Sequence, residues 1–189
     1  IDEQDKTAEE YVRWLNKNNF LEKWIKFWLS LSALLLFNTQ AYKLPSALSM
    51  RESDRVLDIG CGFGSLLIYL YKRVGFRKVM QGIDVSQVMV NLAEKEIEKR
   101  ALKNKIKVHT GKATDLPHPD ETFDIFLSTY VIKHLSDKLL LKMMQEVKRV
   151  LKIGGRFCLW EVGHSVLNGR TNFYKRLLLN QFQLNLDNF

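Results

Sequence analysis

Asp54-Arg55-Val56-Leu57-Asp58-Ile59-Gly60-Cys61-Gly62-Phe63-Gly64 is the stretch around which the rest of the chain is organised. A short apolar run bounded by turn residues predicts a buried strand over 55–59. A glycine turn follows, and then a helix over 65–74. Gly60, Gly62 and Gly64 alternate. A Cβ at such positions bars left-handed backbone angles or the close approach of a ligand. The helix after the turn directs its N-terminal amides and positive dipole end back at it, which suits an anionic or polar group of a nucleoside-like ligand. Asp58 adds a carboxylate at the strand end, which suits a ligand carrying positive charge.

Two nucleotide patterns compete here, beside a plain glycine turn that holds no ligand. The dinucleotide fingerprint is G-x-G-x-x-G/A. Counted from Gly60, its sixth position is Ser65, and a pyrophosphate has no evident need of Asp58. The second pattern, acidic-x-G-x-G-x-G, is met at every position by Asp58, Gly60, Gly62 and Gly64. It resembles motif I of the class I S-adenosylmethionine (AdoMet) dependent methyltransferases.

The 189 residues make one domain with room for a helical extension. The reading divides them into an N-terminal helical cap, 1–45, and a methyltransferase-like domain, 46–189. The 46% hydrophobic share can fill a core, and three prolines and ten glycines exclude a fibrous or disordered chain. The net charge of +8 favours partners of negative potential: nucleic acid, an anionic membrane surface or an acidic substrate. Cys61 and Cys158 read as small buried hydrophobes, not as a disulfide or metal pair, and fit a reducing cytoplasm. Four scattered histidines with no C-x-x-C suggest no metal site. The first ten residues are acidic and polar and carry no visible signal peptide. The chain begins with Ile, so residues upstream are expected.

Taken in order, 6–18 reads as a helix. The next, 20–42, is unusually apolar, with Leu21, Trp24, Ile25, Trp28, Leu31 and Leu35 in a stripe and no charge from Phe27 to Phe37. A membrane span needs about 20 apolar residues, and this run is nearer half of that. Three readings stand: a helix covering the cofactor cleft, an interfacial membrane helix rimmed by Trp and Lys, or a spanning helix. Pro45 closes the segment. Strands follow at 78–84, 105–110, 124–128 and 156–162. Helices lie between them, one from the Ser86 cap to about Ala101 and one from the Ser136 cap to Leu151, ended by Gly154-Gly155. Five strand–helix alternations predict an open, parallel, doubly wound α/β sheet with right-handed crossovers. Ligands in such sheets bind beyond the carboxyl ends of the strands, at the switch point.

The resemblance to class I methyltransferases extends over about 54–163. It implies that Asp84, ending the second strand, takes both ribose hydroxyls through charge-assisted hydrogen bonds. It implies that Val85 lies against the adenine. Gly111-Lys112-Ala113-Thr114-Asp115-Leu116-Pro117 is similar to the family's G-D-A-x-x-L-P adenine loop, which assigns Ala113 and Thr114 to the cofactor. Lys112 departs from the pattern: the family's Asp accepts from the adenine amino group, and an ammonium has no lone pair. The Ala113 backbone or Asp115 would then serve. Glu121-Thr122-Phe123-Asp124 resembles S-F-D, with Ser128 and Thr129 facing the methionine portion. Val131-Ile132-Lys133-His134-Leu135 and Leu151-Lys152-Ile153-Gly154-Gly155 resemble the h-h-x-H-h and L-K-P-G-G stretches. Together with the backbone of Gly60, Cys61, Gly62 and Gly64, these are the cofactor residues the resemblance implies. No N-P-P-Y tetrapeptide is present, and the ordered matches most resemble the small-molecule branch near ubiquinone/menaquinone and sterol methyltransferases.

The implied reaction is methyl transfer to a small, lipophilic acceptor, leaving S-adenosylhomocysteine. A base is needed only where the acceptor must first lose a proton. Tyr130, His134, Glu161 and His164 are the weak candidates. The last antiparallel hairpin of the family sheet is expected to be missing or truncated, because 27 residues follow Val162 and read as a loop and a basic amphipathic helix. Two other function classes remain: RNA methylation, which predicts binding that weakens steeply with salt, and a non-catalytic domain that holds a partner or a membrane.

Overall fold

The computed structural model describes residues 43–160, together with Lys6 and Glu9. The apolar run 20–42, the C-terminal helix read over 169–184, Glu161 and His164 lie outside the described residues.

The first described element, α1 (Leu44–Ala47), carries Pro45 in its first turn. There the missing N–H would have no helical partner in any case, so Pro45, expected to close the preceding segment, opens this short helix. Five strands follow: β1 (Val56–Ile59), β2 (Met80–Asp84), β3 (Ile106–Thr110), β4 (Phe123–Thr129) and β5 (Leu151–Trp160). Between them lie α2 (Ser65–Val74), α3 (Gln87–Lys99), a 3-10 turn (Ile132–His134) and α4 (Asp137–Val150). The strand order is β3-β2-β1-β4-β5, and all four pairings are parallel. The direction of winding reverses between β1 and β4, so their carboxyl ends form the switch point.

Strand alternation sorts the core into two layers. Val56, Ile106, Val108, Ile125 and Leu127 pack with α2 and α3. Leu57, Ile59, Ile83 and Phe126 face α4 through Leu140, Met143, Met144 and Val147. Side chains buried this completely contribute about 1.5–3 kcal/mol each. The Ser86 and Ser136 caps form as expected, each hydroxyl accepting an amide at 3.5 Å. Val90 of α3 is buried, and Ala101, where the helix was expected to end, lies past Lys99, exposed and left-handed at φ 55°.

One expected boundary is wrong. Helix α4 ends at Val150, before the glycine pair, and Leu151 already pairs with Phe123. Regular pairing resumes with Arg156 opposite Ile125. Two steps along β4 are thus matched by five along β5, and Gly154-Gly155 sits inside a bulge, with Gly154 at φ 73°. The glycines read as a helix stop because a helix C-cap and a bulge ask for the same left-handed residue. Arg156 fastens this strand to the start of the domain. Its guanidinium donates to Asp54 Oδ2 at 2.8 Å and to the carbonyls of Leu48 and Ser49 at 2.7 and 2.5 Å.

Candidate active site at the switch point

The glycine turn leaves β1 at the centre of the sheet and is held from β2. The amides of Gly60 and Cys61 donate to the Ile83 carbonyl at 2.7 and 3.1 Å. The amide of Gly62 donates to Asp84 Oδ2 at 2.9 Å, and that of Ser86 to Oδ1 at 2.9 Å. Asp84 is therefore locked by one backbone donor on each oxygen, with further lone pairs open to a ligand. Burial raises its pKa, and the two amides offset part of that.

Gly60 and Gly62 are needed for different reasons. At Gly60, φ 71°, a Cβ would lie 2.1 Å from Val131 Cγ2. Val131 follows β4, so this contact seals the switch point. At Gly62, φ 51°, a Cβ would meet nothing within 4 Å. Among the described residues, none fills the space above Gly62, as expected where a ligand approaches the backbone.

Asp58 is 1% exposed, and neither carboxylate oxygen has a hydrogen-bond partner among the described residues. Burial, and then the Asp84 charge, push its pKa well above the usual carboxylate range. A buried unpaired charge is costly, so this group awaits a proton or a cationic partner. Cys61, 7% exposed, turns into the core. Its Sγ lies 2.8 Å from where a Gly82 Cβ would stand, so only its backbone is available to a ligand. Burial and the two aspartates hold its thiol neutral, and Cys158 is pushed up to about 11 by burial and by Asp58. Gly82 was missed in the sequence; a lone glycine inside a strand was its only signal.

Val85 follows Asp84 directly, half-buried, and leads to the α3 cap. Ala113 and Thr114 lie on the loop after β3, Ala113 buried and Thr114 half-buried; Lys112 and Asp115 bridge across it. Ser128, paired in register with Ile59, is 1% exposed and its Oγ has no hydrogen-bond partner among the described residues. Thr129 ends β4. Tyr130 follows in the left-handed region at φ 63°, a genuine outlier for a bulky residue. His134 is exposed at the end of the 3-10 turn. The turn, Asp84, Ser128 and Tyr130 thus meet at one end of the sheet.

The loop after β3 has an anchor that the sequence did not reveal. Arg149 of α4 donates to the carbonyls of Leu116 and His118 at 3.0 and 2.7 Å and to Asp120 at 2.9 Å. Glu146 accepts the Leu116 amide at 2.7 Å and pairs with Arg149 at 2.7 Å. No spacing rule in the sequence marks either residue.

The methyltransferase domain family matches residues 56–155, from β1 into the β5 bulge. The chain belongs to this family. It is 35% identical over 109 residues to the demethylmenaquinone methyltransferase of Lactobacillus johnsonii, covering 58% of this chain and 44% of that one. Among solved structures, the YcgJ protein of Bacillus subtilis superposes with a TM-score of 0.59 at 32% identity, over 65% of this chain and 50% of that one. The [4+2]-cyclase SpnF superposes with a TM-score of 0.58 at 27% identity, over 63% of this chain and 42% of that one. The chain spans about half the length of the curated relatives it matches. No helix among the described residues is long and apolar enough to cross a membrane, and no group of three or more His, Cys, Asp or Glu among them could hold a metal ion.

Proposed function

We propose that the domain binds AdoMet across the β1/β4 switch point and transfers its methyl group to a small-molecule acceptor. The Asp84 carboxylate carries the proposal: it stands at the end of β2, fixed by the Gly62 and Ser86 amides, with lone pairs to spare for two vicinal hydroxyls. The residues present fit such a cofactor. The protein-free space above Gly62 admits a ligand against the backbone, and the buried, unpaired Asp58 carboxylate supplies negative charge below the turn. Gly60, Cys61, Gly62 and Gly64 would serve through their backbone. Val85, Ala113 and Thr114 would flank the adenine, and Ser128 and Thr129 the amino-acid portion.

When bound, the cofactor supplies a methyl group already activated on a sulfonium. The protein's task is then alignment, which can be worth about 7–11 kcal/mol of barrier. Val131 seals the turn against Gly60, and Tyr130 stands next to it at the mouth, where an acceptor would enter. The relatives' demethylmenaquinone favours a lipophilic acceptor. Titration calorimetry with S-adenosylhomocysteine tests the cofactor assignment: saturable binding by the native chain and markedly weaker binding by Asp84→Ala are expected. No heat at millimolar cofactor defeats it.

A second reading has a specific motive. The SpnF neighbour is titled a cyclase, so the fold is used for other chemistry. Lys112 stands where the family's adenine-binding Asp is expected. A domain that retains S-adenosylhomocysteine but passes no labelled methyl to a quinol or lipid extract would support this reading over transfer.

A further inference from the structure

His109 of β3 and His118 of the following loop meet edge to face, with ring centroids 5.5 Å apart and planes at 68°. His118 in turn meets Phe123 of β4 at 4.9 Å and 85°. Both Nε2 atoms are buried without a hydrogen-bond partner among the described residues. The contact closes the loop that runs from Gly111 through Ala113 and Leu116, because His109 is the penultimate residue of the strand before it and His118 lies past its far side. Ala113 and Leu116 are 5% and 4% exposed and pack in the same cluster as Phe123. The ring pair is thus the β3-side seat of the loop, opposite the Arg149–Glu146 anchor on α4.

We infer that His109 and His118 are positioning residues for the cofactor loop, and that they seat it only while both rings are neutral. This rests on the proposed assignment of Ala113 and Thr114 to the adenine. An imidazolium is donor-only and needs acceptors for both N–H groups. The surroundings offer the buried Nε2 atoms none. Ile83, the β2 residue paired with His109, and Phe123, at the start of β4 against His118, are apolar. The nearby carboxylates are committed: Glu146 to Arg149 and the Leu116 amide, Asp120 to Arg149, and Asp124 to Lys152 and the Arg55 amide. Lys107 and Asp115 are exposed. The nearest cation, Arg149, opposes a second positive charge and holds the His118 carbonyl, not its ring. Burial holds both histidines below the ordinary imidazole range, and for His118 the His109 ring and Arg149 add to this.

The sign follows from the lowered pKa values. The closed loop binds fewer protons than the open one. Closure is complete above the ordinary histidine value and is lost as pH falls through it, toward the folded-state values. Acidification therefore opens the loop without touching the glycine turn.

The test measures S-adenosylhomocysteine affinity by calorimetry, and amide exchange over 111–118, on the full chain at several pH values. Native affinity should fall about tenfold from about pH 7.5 to about pH 5.5, with lower loop protection once the intrinsic amide exchange rate at each pH is divided out. His109→Phe/His118→Phe should flatten most of that slope. Asp84, whose pKa burial also raises, titrates in both proteins, so the difference between them is what reads the histidines. Should the double Phe variant fail to fold, His118→Asn alone should flatten part of the slope. Equal slopes in native and variant proteins, or loop protection factors that do not change with pH, would overturn the inference. Absence of binding at neutral pH in the native chain would instead remove the cofactor assignment beneath it.

Discussion

Replacing Gly60 by Ala probes the seal at the switch point with a magnitude the geometry supplies. Two penalties add. An L-residue held at φ 71° carries about 1–2 kcal/mol of backbone strain. A Cβ 2.1 Å from Val131 Cγ2 also forces Val131 away, and overpacking of this kind costs about 1–3 kcal/mol. Gly60→Ala should therefore lose about 2–5 kcal/mol in urea unfolding followed by circular dichroism. Gly62→Ala meets no atom and should lose only the backbone part, about 1–2 kcal/mol. Val131→Ala in the Gly60→Ala background removes the collision, so the double variant should be more stable than the sum of the singles by about 1–2 kcal/mol. Calorimetry with S-adenosylhomocysteine completes the design. Gly62→Ala should fold yet bind poorly, because its methyl enters the space left for the ligand. Additive single and double variants would refute the collision, and a Gly62→Ala protein with native affinity would refute the reading of that space.

Three further outcomes are expected. Asp84→Ala should weaken S-adenosylhomocysteine binding by about 1.5–3 kcal/mol, since hydrogen bonds to a charged acceptor are lost, while calorimetry at neutral pH shows unchanged stoichiometry. Asp58→Asn should stabilise the cofactor-free protein at neutral pH and leave it little changed near pH 4. The raised folded pKa means that native stability is complete below the ordinary carboxylate value and falls as pH rises toward the folded one; a pH series of thermal melts reads this, and a difference that grows toward acid would contradict it. Arg156→Ala should lower stability by about 2–4 kcal/mol, less than a fully buried pair because Arg156 is 28% exposed. That corresponds to a midpoint drop of about 4–16 °C, and a drop under one degree would show the Asp54 link to be idle.

The sheet was legible in the sequence because each strand is a short apolar run between turn residues, and because Ser86 and Ser136 announce the helices they cap. The glycine turn was legible because Asp58, Gly60, Gly62 and Gly64 have a fixed spacing. What stayed hidden is carried by contacts between distant positions. Nothing local joins Gly60 to Val131, Arg149 to Leu116, or His109 to His118. Tyr130 was visible as a residue type but not as a left-handed one, since aromatic residues seldom adopt that conformation. The Gly154-Gly155 pair misled because a helix end and a strand bulge present the same two letters.

That bulge has a use of its own. It lies at the amino end of β5, on the rim of the sheet away from the glycine turn, and its Ile153 is 92% exposed. The backbone there carries slack: pairing lapses after Leu151 and is recovered at Arg156. Exposed segments without pairing obligations are where chains accept extra residues or a protease cut. A fluorophore, an affinity handle or a few added residues at Ile153 would report on the domain, or tether it to a surface, with the sheet lying between the attachment and the chemistry.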